Sequence, residues 1–288
     1  MYTKERCETL PMATWPNNQD VNKPVTTRLL VIASVERTGS TLLCSLLRQT
    51  GLAGTPVEYL NIQTHNFSKF RRRYGVPKLR LIYRPIGWIR TRTGRFAWRN
   101  ISWFEPVSYH QYLAEIARVN TTSNGVFGIK MHWNQYKRHM LDLNLTADFW
   151  NVPVRWVRIS RQDEIRQAIS FVRAAQSNSW NSNMEIKQNP IYDGSSIAAA
   201  LERITSENAD WQTYFEQNNI QPLNISYEQL TGEMDVTVRR VMDYIGASID
   251  VVPSPQTKQQ SDSTSSDWAT RFSREFPQYA HRAQMPQL

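Results

Sequence analysis

The chain is poor in cysteine, has no long apolar run, and contains one stretch without a single acid. Only Cys7 and Cys44 occur in 288 residues, far apart, which argues against a disulfide framework. No apolar segment approaches the length of a membrane span. The opening segment, MYTKERCETLPMATWPNNQD, lacks the apolar core of a secretion signal, so a cytoplasmic protein is expected. A hydrophobic content of 40% with a mean hydropathy of −0.54 excludes both a disordered chain and a membrane-embedded one. His65, His110, His139 and His281 show no metal-ligand spacing with each other or with the cysteines, and no metal is expected.

Positive charge is abundant, and it is concentrated. The chain carries 34 Lys and Arg against 25 Asp and Glu, a net charge of +9. Between Tyr59 and Trp103 there is no acid but there are eleven basic residues, among them Arg71, Arg72 and Arg73. The remainder holds 23 basic residues against 25 acidic ones, so the basicity belongs to one segment. A uniformly basic protein is excluded; a local anionic partner is not.

Patterning predicts an α/β fold. RLLVIAS (Arg28–Ser34) reads as a buried parallel strand, and STLLCSLLRQ (Ser40–Gln49) as the helix that follows it. Further strands are predicted at Gly125–Met131, Val154–Ser160 and Leu223–Tyr227. Helices are predicted over Asp163–Gln176, over Ser195–Gln217, and before Gly246. The alternation implies a P-loop-like parallel β-sheet flanked by helices, with ligands beyond the carboxyl ends of the strands. Residues 1–26 read as an irregular arm, and 27–288 as one domain with a basic insertion near 62–104. PSPQTKQQSDSTSSD (Pro253–Asp267) reads as loop.

The segment SVERTGST joins the first strand to its helix. A helix amino terminus offers N–H donors and the positive end of its dipole. Gly39 permits close approach, Thr38, Ser40 and Thr41 bring hydroxyls, and Arg37 brings a planar cation suited to tetrahedral oxyanions. The same segment equally suits an ordinary turn, with Ser40 as a cap and Arg37 solvated. Ser40 stands where a nucleoside-triphosphate loop needs its lysine, which disfavours a nucleotide-dependent kinase.

SVERTGSTLL resembles the 5′-phosphosulfate loop of sulfotransferases that use 3′-phosphoadenosine 5′-phosphosulfate (PAPS). RTGSTLLCSLLRQTGLAGTPVEYLN is similar to the opening of the bacterial trehalose 2-sulfotransferase family. GVFGIKMHWNQ, RQDEIRQAISFVRAAQSNSW, Trp211, PLNISYEQL and SDWATRF match the same family in order, so the likeness runs from Arg28 to Phe272. The region 62–104 and the arm do not match.

The resemblance implies a sulfotransferase fold, PAPS as donor, a carbohydrate or glycolipid acceptor, and a homodimer. It implies that Arg161 and Ser170 bind the donor's 3′-phosphate; their offset of nine fits the trehalose-type family. By itself, Arg161 at a strand end is as readily solvated, and Ser170 in a helix as readily packed. Glu58, in TPVEYLN, is implied as the catalytic base, with Tyr59 and Asn61 near the acceptor. Lys130 and His132 in GIKMHWN resemble the Lys-x-His pair of cytosolic sulfotransferases, where His is the base, so a competing assignment stands. Residues i and i+2 of a strand share a face, which lets both side chains enter one site. Trp133, Asn134 and Gln135 suit a sugar pocket, with core packing as the rival role for Trp133.

The basic stretch interleaves cations with Phe67, Phe70, Tyr74, Tyr83 and Trp88. That pattern suits a nucleic-acid module, an anionic lipid surface or an acidic acceptor. With the resemblance in place, no nucleic acid is expected, and an anionic or surface-bound acceptor is.

Overall fold

The computed structural model describes residues 23–62, 67–76, 79, 81–90, 96–104, 106–180, 189–255 and 263–283. Most of the predicted amino-terminal arm lies outside these residues. In chain order the elements begin with β1 (Arg28–Ser34), α1 (Ser40–Gln49), α2 (Phe67–Arg73), β2 (Leu81–Arg90) and β3 (Phe96–Phe104). Next come α3 (Pro106–Asn120), β4 (Val126–His132), α4 (Trp133–His139), β5 (Val154–Ser160) and α5 (Glu164–Ser177). The carboxy-terminal part holds α6 (Gly194–Gln217), β6 (Leu223–Ser226), α7 (Tyr227–Gly232), α8 (Met234–Tyr244) and α9 (Ser263–Glu275).

Four strands form a parallel sheet in the order β4-β1-β5-β6. β1 is central because it is apolar on both faces. Leu29, Val31 and Ala33 enter one core with α3, α5 and α6, whereas Leu30 and Ile32 enter a second core with α1 and α8. The chain leaves β1 for α1, and the neighbouring strands β4 and β5 lie on opposite sides of β1. That reversal opens a crevice at the carboxyl ends, where β1, β4 and β5 deliver Ser34, His132 and Ser160.

The predicted strands and helices are present with ends displaced by one or two residues. Gly125 precedes β4 in a left-handed conformation, Asp163 caps α5, and Ser226 caps α7 with Gln229 completing a reciprocal pair. Two differences are larger. β2 and β3 pair antiparallel as a separate two-stranded sheet inside the predicted basic insertion, where no strand was expected. The predicted loop 253–267 is overturned at its end, where α9 begins at Ser263. Trp268 and Phe272, four residues apart, anchor one face of α9 in the core, and the serine-rich first turn hides that signal.

Candidate functional site

The β1–α1 loop turns through two left-handed residues, Arg37 (φ 67°) and Gly39 (φ 79°). A Cβ on Gly39 would lie 2.6 Å from Cδ2 of Tyr227, so only glycine fits beneath that ring. Gly39 is also the N-cap of α1, with no side chain capping it and no acid in the first turn. The amino-terminal N–H groups of α1 are therefore met neither by a capping side chain nor by an acid of the helix's own first turn. Ser40, read above as a possible cap, is instead the buried first residue of the helix. Buried Thr38 ties the turn by donating from Oγ1 to the Val35 carbonyl, 3.1 Å away.

The left-handed backbone at Arg37, which costs a non-glycine residue about 1–3 kcal/mol, sends its side chain across to α5. Nε donates to Ser170 Oγ at 2.9 Å and Nη1 to the Trp180 carbonyl at 2.6 Å. Arg161, just past β5, lies with its guanidinium carbon 4.6 Å from the centre of the Tyr227 ring. Its Nε is shielded from solvent and has no hydrogen-bond partner. Burial, and then the charge of Arg161, lowers the pKa of Arg37; burial also lowers that of Arg161. Arg37, Arg161 and Ser170 thus converge, although 133 residues separate Arg37 from Ser170. Two partly desolvated guanidiniums beside a hydroxyl form a receptor for a dianionic oxyanion.

On the other side of the loop stands Glu58. Gly54 (φ 69°) and Gly128 touch backbone to backbone: a Cβ on Gly54 would lie 2.1 Å from Gly128 N. This close approach lays residues 53–58 along β4, where Val57 bridges Ile129 and its carbonyl accepts from Lys130 N at 3.0 Å. Glu58 therefore meets the two β4 side chains that share a face. Lys130 Nζ lies 2.7 Å from Glu58 Oε1 and donates to Thr41 Oγ1 at 3.0 Å. His132 Nε2 lies 3.5 Å from the same carboxylate oxygen, and its Nδ1 is 3.0 Å from Ser34 Oγ. Burial works to raise the Glu58 pKa, but Lys130 and then His132 outweigh it and hold the carboxyl well below its ordinary range. Lys130 and His132 are nearly buried, whereas the Glu58 side chain is 26% exposed and open to the crevice.

The remaining residues expected at the acceptor divide into three groups. Asn61 and Gln135 each donate to Glu58 Oε2 at 2.9 Å and so fix the carboxylate. Tyr59 is fully buried, with its hydroxyl donating to the Thr55 carbonyl, and Trp133 packs edge-on against Trp211 with ring centres 5.0 Å apart. These two aromatic side chains belong to the core, not to the crevice. Asn134 is exposed and donates to Glu36 Oε1 at 2.9 Å. Ser34 and Glu36, both inside SVERTGST, are site residues that pattern reading passed over. Ser34 shows itself only through its register with His132, and Glu36 only through partners from distant helices. Among the described residues, no group of three His, Cys, Asp or Glu side chains is placed to hold a metal ion. No described helix is long and apolar enough to cross a membrane.

Comparison with known proteins adds a family. Residues 29–275 match the model of the Stf0 sulphotransferase family. The trehalose 2-sulfotransferase of Mycobacterium tuberculosis (strain ATCC 35801 / TMC 107 / Erdman) is 25% identical over 272 residues, covering 87% of this chain and 96% of that one. The trehalose 2-sulfotransferase of Mycolicibacterium smegmatis is 26% identical over 271 residues, covering 86% and 95%. Among solved structures, the sulfotransferase domain of the Synechococcus PCC 7002 olefin synthase aligns with a TM-score of 0.44 and 13% identity, over 93% of this chain and 92% of that one.

Proposed function

We propose that this chain, which belongs to the Stf0 sulphotransferase family and is a sulfotransferase, moves a sulfuryl group from PAPS to a hydroxyl of a carbohydrate or glycolipid acceptor. The kinase and nucleic-acid readings give way to that membership. The relatives' names support a carbohydrate acceptor. A cytoplasmic setting agrees with the free, buried thiol of Cys44.

The residues present fit the donor. Arg161 offers a buried Nε with no partner, Arg37 and Ser170 stand beside it, and the turn at Gly39 has no room for a Cβ. Arg161, Ser170 and Arg37 would hold the 3′-phosphate. The N–H groups of Ser40 and Thr41, with their hydroxyls, would hold the 5′-phosphosulfate. When bound, PAPS supplies the activated sulfuryl group.

The chain's own part is proton removal and charge control. Glu58 takes the proton of the acceptor hydroxyl as general base. A carboxylate paired with Lys130 is a weak base, and Lys130 also reaches Thr41 in the donor loop. Movement of the ammonium toward that loop raises the basicity of Glu58 and places positive charge where the leaving phosphate gains negative charge. His132 stays beside the carboxylate and favours its ionised form.

The observation that carries this reading is the single Lys130 ammonium held between Glu58 and the donor loop. Calorimetry with adenosine 3′,5′-bisphosphate and with ATP tests the donor side. The bisphosphate is expected to bind the wild type and to bind Arg161→Ala about tenfold or more weakly, as loss of a charged hydrogen-bond partner implies. Equal indifference to both nucleotides sinks the donor assignment.

A further inference from the structure

The two halves of the donor site hang on different strands, and one aromatic ring touches both. β5 and β6 run in register to their ends, where Ser160 pairs with Ser226. The next residues, Arg161 and Tyr227, therefore leave the sheet side by side at its carboxyl edge. Tyr227 opens α7, whose start is fixed by the reciprocal cap of Ser226 and Gln229. Glu228 ties the two turns together, accepting from Gln162 N at 3.2 Å. On one side, the Tyr227 ring centre lies 4.6 Å from the Arg161 guanidinium carbon. On another, the ring edge closes over the donor turn, where a Cβ on Gly39 would meet Cδ2 at 2.6 Å and Cε2 at 3.2 Å.

Arg161 needs such a restraint. Its charge is felt at Arg37, so the two guanidiniums repel and would part unless held. The acids that follow Arg161 and Tyr227 are engaged elsewhere: Asp163 caps α5 at Arg166 N, 2.8 Å away, and Glu228 holds Gln162 N. A carboxylate against Arg161 would also offset the charge and occupy the N–H groups that a phosphate must meet. An aromatic face attracts the cation and takes no N–H. In keeping with this, Arg161 Nε has no hydrogen-bond partner among the described residues, although the ring lies beside its guanidinium.

We propose that Tyr227 is a positioning residue of the donor site: its face aims the Arg161 guanidinium at the 3′-phosphate while its edge steadies the Gly39 turn, so that one ring sets the span between the two phosphate receptors. This rests on the donor reading given above. Tyr227 acts through Arg161 and meets no reacting atom. The electron-rich face of the ring carries the effect, and the hydroxyl does not. The consequence is selectivity: a nucleotide with phosphates at both the 3′ and 5′ positions uses both receptors, whereas adenosine 5′-monophosphate uses the loop alone.

Calorimetry on the full chain compares adenosine 3′,5′-bisphosphate with adenosine 5′-monophosphate. Tyr227→Leu is expected to weaken the bisphosphate about fivefold or more, the scale of a partly desolvated cation–π contact. It should weaken the monophosphate less, so that the preference for a 3′-phosphate shrinks. Tyr227→Phe keeps the face and should stay within about twofold of the wild type. In an Arg161→Ala background, Tyr227→Leu should add less than about twofold, since the ring then has no cation to hold. Full discrimination in Tyr227→Leu overturns the inference, and so does an undiminished effect in the Arg161→Ala background. A loss of the same size for both nucleotides also overturns it, because a purely structural ring would give that result. Equal losses in Tyr227→Phe and Tyr227→Leu do the same, since the hydroxyl would then carry the effect. Should Tyr227→Leu fail to fold, fluorine added stepwise to the ring of Tyr227→Phe keeps the shape and weakens the negative potential of the face. Affinity for the bisphosphate should fall along that series, and a flat series overturns the inference. These failures leave the donor reading standing as long as the wild type binds the bisphosphate and Arg161→Ala binds it weakly. A wild type indifferent to both nucleotides removes the donor reading and the role of Tyr227 with it.

Discussion

Glu58 makes every polar contact its two oxygens can hold, to Lys130, His132, Asn61 and Gln135. That arrangement fixes its direction and lowers its proton affinity. Glu58→Gln keeps the amide and ammonium neighbours within reach but removes the base, so kcat should fall by about 10²–10⁴, the range for a lost general base. His132→Ala leaves the carboxylate in place and should cost much less. Single-turnover rates decide between them; near-normal turnover in Glu58→Gln makes the base assignment wrong. A second residue-scale prediction concerns His139, buried at the end of α4. Burial, and then Arg138, lowers its pKa from 6.5 to about 4. Above pH 6.5 the ring is neutral whether the chain is folded or not, and its full contribution is present. Between pH 6.5 and 4 the unfolded chain binds a proton that the folded one refuses. Stability therefore falls with pH across that window, by an amount on the order of 3 kcal/mol. His139→Phe should flatten this part of the pH–Tm curve, and an unchanged curve refutes the assignment. At this scale the sequence was legible where spacing along one strand sufficed, as for Lys130 and His132. It was silent on Glu36, whose partner Arg203 lies 167 residues away, because nothing local marks such a meeting.

The segment 53–58 cannot lie along β4 unless the two backbones come unusually close. Gly54 and Gly128 make that approach, and the segment Ala53–Glu58 follows it. Gly54→Ala puts a Cβ against the Gly128 amide in a backbone conformation that alanine rarely adopts. The expected cost is about 2 kcal/mol or more, with turnover falling further than stability because Glu58 leaves Lys130. Chemical denaturation and kcat measured together check this; wild-type values in both remove the argument. The elements that sequence reading recovered are those with a buried period of their own: β1, β4, β5, β6, α1, α5, α6 and α8. Those it missed carry weaker marks. The helix α9 sets only Trp268 and Phe272 in the core, and α4 follows β4 without an intervening loop, so its residues read as site rather than helix. The hairpin β2–β3 pairs only with itself within the sheets described, and no pattern over 62–104 announced it.

The whole molecule carries +9, yet outside 59–103 acidic residues outnumber basic ones by two. The cations proposed to serve the donor, Arg37, Lys130 and Arg161, all lie outside that stretch and do not account for the excess. The stretch follows the acceptor-side Glu58 directly, and in α2 it exposes Arg72 and Arg73 to solvent. On the proposed reading, the exposed cations of α2 favour an acceptor whose negative charge sits away from the hydroxyl presented to the inner site at Glu58. Charge attraction of this kind is screened over about 8 Å at physiological salt, so it leaves a kinetic mark. For an acidic glycan or glycolipid bearing a neutral terminal sugar, kcat/KM should fall steeply as salt rises from low to physiological strength, whereas for trehalose it should stay nearly flat. Replacing Arg72 and Arg73 together by Ser should shrink the salt dependence with the acidic acceptor. Equal salt responses for both acceptors would assign the basic stretch to some other partner and return the choice of acceptor to the inner site alone.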